Sequence, residues 1–224
     1  HLYRAAPVDG AGAPALEGLI GPLIVLDADA ATLPLPSRWG FDDVAVILDD
    51  ATFDETGAPR TDDALGATVL ANGISDAVLT VPKAYIRLRL FNAARARVFR
   101  LYFEDETPFH LIATDGGFLS APISLDILRL APGERAEVLV DCREGYPARL
   151  MTTPDNREQR VPGALIDLAD RSQSLVPVLG IDPQYSADGL QVLPVALATA
   201  RPIEPGPSAP RRQIGFRRQA ATAG

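Results

Sequence analysis

An all-β fold, a sandwich or barrel of short strands, is what this sequence predicts, and three observations point to it. Gly (18) and Pro (20) are spread through the 224 residues and leave few places for a helix of ordinary length. Tyr85 to Phe91 alternates Ile86, Leu88 and Leu90 with Arg87 and Arg89, a period of two that a helix cannot use. Further short apolar runs recur between turn residues, the pattern of a β-sandwich. Hydrophobic residues make up 47% of the chain, enough to bury a core rather than leave it disordered.

Taken in chain order, Val44 to Leu48 is a continuous apolar run suited to a deeply buried strand, closed by Asp54-Glu55-Thr56-Gly57. Tyr85 to Phe91 reads as a strand with one face buried and one wet. Arg97 to Phe103 and Phe109 to Thr114 are aromatic and β-branched, and are predicted as two strands joined by a hairpin with Glu104, Asp105 and Glu106 at its solvated tip. Asp115-Gly116-Gly117 supplies a tight turn after them. Ala131-Pro132-Gly133 leads into a second alternating strand, Glu134 to Val140, and Arg149 to Thr153 and Leu175 to Ile181 complete the set. Two proline-rich stretches bracket this block. Ala31 to Gly40 holds Leu33-Pro34-Leu35-Pro36, and Arg201 to Pro210 holds Pro202, Pro205, Pro207 and Pro210, compositions of stiff, extended connectors.

Lys and Arg number 21 against 29 Asp and Glu, a net charge of −8, which disfavours a nucleic-acid partner. The one basic cluster, Arg211, Arg212, Arg217 and Arg218, reads as a solvated tail segment. No stretch approaches the roughly 18 to 20 apolar residues of a spanning helix. Residue 1 is His and no export signal is visible, so a processed form or a fragment is expected. Cys142 is the single cysteine, which excludes an intrachain disulfide and a multi-cysteine metal site.

The segment Leu16-Glu17-Gly18-Leu19-Ile20-Gly21-Pro22-Leu23-Ile24-Val25-Leu26-Asp27 resembles the stretch that closes the first cupredoxin domain of multicopper oxidases. Leu35-Pro36-Ser37-Arg38-Trp39-Gly40-Phe41-Asp42-Asp43 is similar to the opening of their second domain. In the same order follow Leu70-Ala71-Asn72-Gly73, the Arg87-Leu88-Arg89-Leu90-Phe91-Asn92 strand, the Asp115-Gly116-Gly117 hairpin and Leu130-Ala131-Pro132-Gly133-Glu134-Arg135, each matching the family's pattern. Cell-division-associated and laccase-like bacterial members resemble it most.

The resemblance implies a cupredoxin-like Greek-key sandwich or barrel, with residues 1–30 the remnant of a first domain, 31–40 a linker, 41–183 a copper-free second domain, 184–211 a Pro-rich linker and 212–224 the start of a third. It implies a parent that uses copper to couple one-electron oxidation of a phenolic or metal-ion reductant to reduction of O2 to water, in the periplasm or secreted. The alternative is a copper-free cupredoxin protein serving as a periplasmic structural or interaction module. The family's trinuclear cluster uses four His-x-His pairs, whereas this chain holds only His1 and His110. By itself it is expected to be inactive.

Through the same resemblance His1 is a candidate type 3 copper ligand, set against an ordinary terminal residue; its spacing to Gly18 exceeds the family's. His110, Cys142 and Met151 lack a second ligand nearby and read as structural. Asp42 and Asp43, adjacent on a strand, point to opposite faces and make poor acid–base partners, so they read as turn and strand-opening residues. Asp115-Gly116-Gly117 lacks the following helix and the lysine of a phosphate loop.

Overall fold

Short β-branched and aromatic runs between turns fold as strands wherever the chain is described: residues 1–4, 19–26, 28, 30–60, 65–115, 117–153, 175–186, 189–198 and 213 of a computed structural model. The strands are β1 (Leu2–Arg4), β2 (Ile20–Pro22), β3 (Asp43–Ala51), β4 (Thr68–Ala71), β5 (Val78–Pro82), β6 (Tyr85–Asn92), β7 (Phe99–Phe103), β8 (Phe109–Thr114), β9 (Gly117–Leu125), β10 (Leu128–Leu130), β11 (Arg135–Asp141), β12 (Ala148–Thr152) and β13 (Val176–Tyr185), with one 3-10 turn at Ala30–Thr32. Gly18, Asp27, Gly116, the Arg201 to Pro210 connector and the Arg211 to Arg218 cluster lie outside the described residues.

Two sheets stack face to face, one six-stranded in the order β4-β3-β6-β11-β8-β9 and one five-stranded in the order β10-β7-β12-β13-β5; β1 and β2 form a separate ladder. This is the all-β sandwich that the periodicity predicts. Most neighbours are antiparallel, but β3 lies parallel to β6 and β13 parallel to β5, pairings that long crossovers between the sheets make possible.

The core fills the space between the sheets. Val46 and Leu48 of β3, Ile86, Leu88 and Leu90 of β6 and Val138 and Val140 of β11 meet Phe99, Leu101 and Phe103 of β7 and Leu150 of β12. These side chains are almost wholly removed from water, and at about 25 cal/mol per Å2 of apolar area their burial is the main force holding the sheets together. Met151 and Cys142 are buried as well, as a structural reading requires.

Turn chemistry sets the register. At Asn72 (φ 51°) and Gly73 (φ 79°) the chain reverses through the two-residue geometry that Asn-Gly favours, closed by hydrogen bonds between Ala71 and Ile74. Gly133 takes φ 86° after Pro132, and the Glu134 carboxylate accepts the Ala131 N–H at 2.7 Å. Asp54 accepts the N–H groups of Thr56 and Ala58 and so folds the loop after β3.

Two expectations need correction. β7 and β8 do not form a hairpin: β7 pairs with β10 and β12, and β8 with β11 and β9 in the opposite sheet. The chain crosses the sandwich at Glu104 to Glu106 because the apolar sides of both strands face one interior, where the Phe103 and Phe109 rings lie 4.9 Å apart. Alternation reports which side of a strand is apolar, not which sheet it joins. The second correction is β6, expected to have one wet face. All eight of its residues are buried, Arg87 at 6% and Arg89 at 5% exposure.

Candidate functional site

The buried outer face of β6 is where the chain concentrates its polar chemistry. Register places Arg89 opposite Glu137 of β11, and Arg87 opposite Asp43 of β3. Arg89 forks onto Asp43, donating from Nε and Nη2 at 2.7 Å each, and donates from Nη1 to Glu137 at 3.0 Å. Arg87 donates from Nε to the other Glu137 oxygen at 2.8 Å, also pairs with it through Nη2, and lies over the Phe118 ring at 5.5 Å. Two cations and two anions thus neutralise one another across three strands. Burial works against the Arg89 charge, but the Asp43 hydrogen bonds and the Glu137 charge hold its pKa above the ordinary value.

Asp42 and Asp43 are the turn and strand-opening residues anticipated. Asp42 accepts the Arg38 backbone N–H at 2.8 Å and its Nε at 2.7 Å, while Asp43 serves Arg89. On the inner side, Asp50 holds Arg97 at 2.8 Å and the Gly66 N–H at 2.7 Å, and Arg97 donates to the Gly66 carbonyl at 2.8 Å.

Farther along the outer face, Tyr85, Ile112 and Leu139 form a second apolar cluster with Leu197, against which Leu35, Leu190 and Leu193 pack. The residues around 35 and 190–197 therefore lie as straps on the sheet. Tyr85 N–H donates to Leu190 O at 2.9 Å, Leu197 N–H to Ser120 O at 2.9 Å and Arg143 to Gln191 O at 2.9 Å. Arg143 also grips Asp141 through Nε at 2.9 Å and Nη2 at 2.8 Å and covers the Tyr85 ring at 4.6 Å. The Arg143 hydrogen bond holds the Asp141 carboxyl below the usual carboxylate range.

His110 stands edge-on to Tyr85 at 5.9 Å, and burial lowers its pKa so that the imidazole is neutral near pH 7. His1 is exposed on the β1–β2 ladder, where its backbone nitrogen and carbonyl pair with Leu23 at 2.8 and 2.7 Å. Cys142 is buried beside the strand end, which pushes its thiol up to about 12 and leaves it without thiolate character at neutral pH. Among the described residues no three His, Cys, Asp or Glu side chains converge where they could hold a metal ion. With no such cluster, the described residues do not fit a copper centre, whose ligands, imidazoles alone or imidazoles with a thiolate, must converge on one ion.

Sequence reasoning found the strands that carry this face but not the four-residue ion network on it. The signal was present: Arg87 and Arg89 on one alternating strand and Glu137 on another. It was legible only once the register was known.

The multicopper oxidase family profile matches residues 35–159. A cell division protein, FtsP, of Xenorhabdus nematophila is 45% identical over 129 residues, covering 55% of this chain and 27% of its own length. The FtsP of Dickeya dadantii is 42% identical over 139 residues, covering 60% and 29%. The chain thus spans less than a third of the length of these curated relatives. Among solved structures, a laccase-like multicopper oxidase, CueO, from Ochrobactrum sp. aligns with TM-score 0.72 at 27% identity over 85% of this chain and 42% of its own. The McoA multicopper oxidase of Aquifex aeolicus aligns with TM-score 0.75 at 26% identity over 92% and 46%.

Proposed function

The chain belongs to the multicopper oxidase family, and we propose that it supplies the second, copper-free cupredoxin domain of a three-domain exported parent whose work is structural, in cell division. In this reading residues 41–183 are the spacer domain, 1–30 the end of a first domain, 212–224 the start of a third, and 31–40 and 184–211 the connectors, strapped to the spacer by Leu35, Leu190, Leu193 and Leu197. The observation that carries it is the contrast in likeness. Proteins named for cell division share 42–45% of residues with this chain, whereas the oxidases that share its fold share 26–27%. The chemistry on the outer face agrees, since Asp43, Arg87, Arg89 and Glu137 are occupied with one another and hold strands in place rather than await a substrate.

The second reading is an oxidase parent, favoured by the alignment with two multicopper oxidases over 85–92% of the chain. There the coppers belong to the flanking domains, His1 is a type 3 ligand, and the partners are a phenolic or metal-ion reductant and O2.

The test is made on the full-length parent. It is reconstituted with copper, its bound metal is measured, and O2 uptake is followed with a phenolic reductant. The structural reading expects less than one equivalent of tightly held copper, no O2 uptake, and recruitment of a fluorescent fusion to the division site. A full complement of copper with sustained O2 uptake overturns it.

A further inference from the structure

Away from the ion network, β2 and the β3–β4 edge wall a groove of about 480 Å3, within the range of small-ligand sites. Its sides are Ile20 of β2, Ile47 of β3, Leu70 of β4 and Phe53 of the loop that follows β3. Asp49 and Asn72 bring side-chain polar groups to this apolar lining. Asn72 is engaged at both ends of its amide, Oδ1 accepting the Ile47 N–H at 2.8 Å and Nδ2 donating to Ala45 O at 3.1 Å.

Asp49 is different. Its half-buried carboxylate accepts the Asp50 N–H at 2.8 Å through Oδ1, and Oδ2 has no hydrogen-bond partner among the described residues. The other two carboxylates of β3 are each held by an arginine, Asp43 by Arg89 and Asp50 by Arg97. Arg4, whose charge reaches Asp49, is exposed and forms no ion pair with it among the described residues. Burial, with the neighbouring Asp50 charge, raises the Asp49 pKa against the opposing pull of the Asp50 N–H and Arg4.

We propose that this groove binds a small apolar molecule carrying one primary ammonium group, with the ammonium on Asp49 Oδ2 and the apolar body against Ile20, Ile47, Leu70 and Phe53. A single open oxygen suits an ammonium, a point charge, better than a guanidinium, whose fork calls for two parallel acceptors. The apolar walls offer contact area to the body of the ligand, and the net charge of −8 favours approach of a cation. The site is independent of whether the parent is a scaffold or an oxidase.

Benzylamine and its neutral analogue benzyl alcohol are titrated separately into the full 224-residue chain at pH 7, following the methyl resonances of Ile20, Ile47 and Leu70. The expected result is saturable shifts at these methyls, with the amine bound at least about tenfold more tightly than the alcohol. Asp49→Asn, which keeps the shape and removes the charge, is expected to abolish that preference. Equal affinity for amine and alcohol, a preference that survives Asp49→Asn, or no shifts at these methyls overturns the proposal. The amine and alcohol are compared on the unaltered chain, so the test stands even where the variant fails to fold.

Discussion

Strand β6 has two interiors, one on each face. Ile86, Leu88 and Leu90 point into the space between the sheets, where they join the main apolar cluster. Arg87 and Arg89, on the other face, are nearly as deeply buried but meet Asp43, Glu137 and the Phe118 ring. The two interiors differ in what a mistake costs. The apolar face gains from burial whatever the neighbour, as long as volume is conserved, because the hydrophobic effect has no direction. The charged face roughly breaks even against an apolar equivalent while intact, and loses heavily when one partner is removed. The first stabilises the sandwich; the second fixes which strands lie beside β6 and in what register.

The sharpest way to break this comparison is Arg89→Ala. It leaves the buried Asp43 with only the more distant Arg87 at 3.9 Å and takes the cation from one Glu137 oxygen, and is expected to cost about 4 kcal/mol in chemical denaturation. Pairing Arg89→Met with Asp43→Leu should recover part of that loss, with a coupling of at least about 1 kcal/mol in the double-mutant cycle. Strict additivity would show that the network is not a unit. On the opposite face, Leu88→Ala is expected to cost about 3 kcal/mol from lost burial and the cavity left behind, with no coupling to Arg89.

Gly66→Ala tests the third arrangement, in which Asp50 and Arg97 close on the Gly66 backbone. A methyl there meets the Ala51 backbone, and a loss of about 2 kcal/mol is expected from strain alone. The smallest effect is that of His110. Its folded pKa lies below the ordinary 6.5, so the unfolded chain binds the proton more readily. The stabilisation from a neutral His110 is therefore complete above about 6.5 and is lost as pH falls through the folded value. Melting temperature followed from pH 8 to pH 5 should fall less steeply for His110→Gln than for the unaltered chain; an identical slope would remove His110 from the balance.

How much of this was legible in the sequence varies residue by residue. The strand at Tyr85 to Phe91 and the turn at Pro132-Gly133 were legible because period-two patterning and turn preferences are local properties. The crossing between β7 and β8 was not, since an acidic, proline-containing connection serves a hairpin and a sheet-to-sheet crossing equally well. The buried arginines were misread for a related reason. A charged residue on alternate positions signals water only when nothing covers it, and Asp43, Glu137 and the Phe118 ring reach these arginines from distant parts of the chain.

Local chemistry, then, determined by itself the all-β class, the positions of most strands and turns, and, through its motifs, the family. Tertiary structure alone decided which strands became neighbours and which polar groups were neutralised. Arg89 meets Asp43 from 46 residues away and Glu137 from 48, so the contact exists only after the chain has closed on itself. The same closure paired Asp43 and Asp50 each with an arginine and, among the described residues, formed no such ion pair at Asp49, because a side chain's electrostatic partner is fixed by the register of strands and not by its neighbours in sequence.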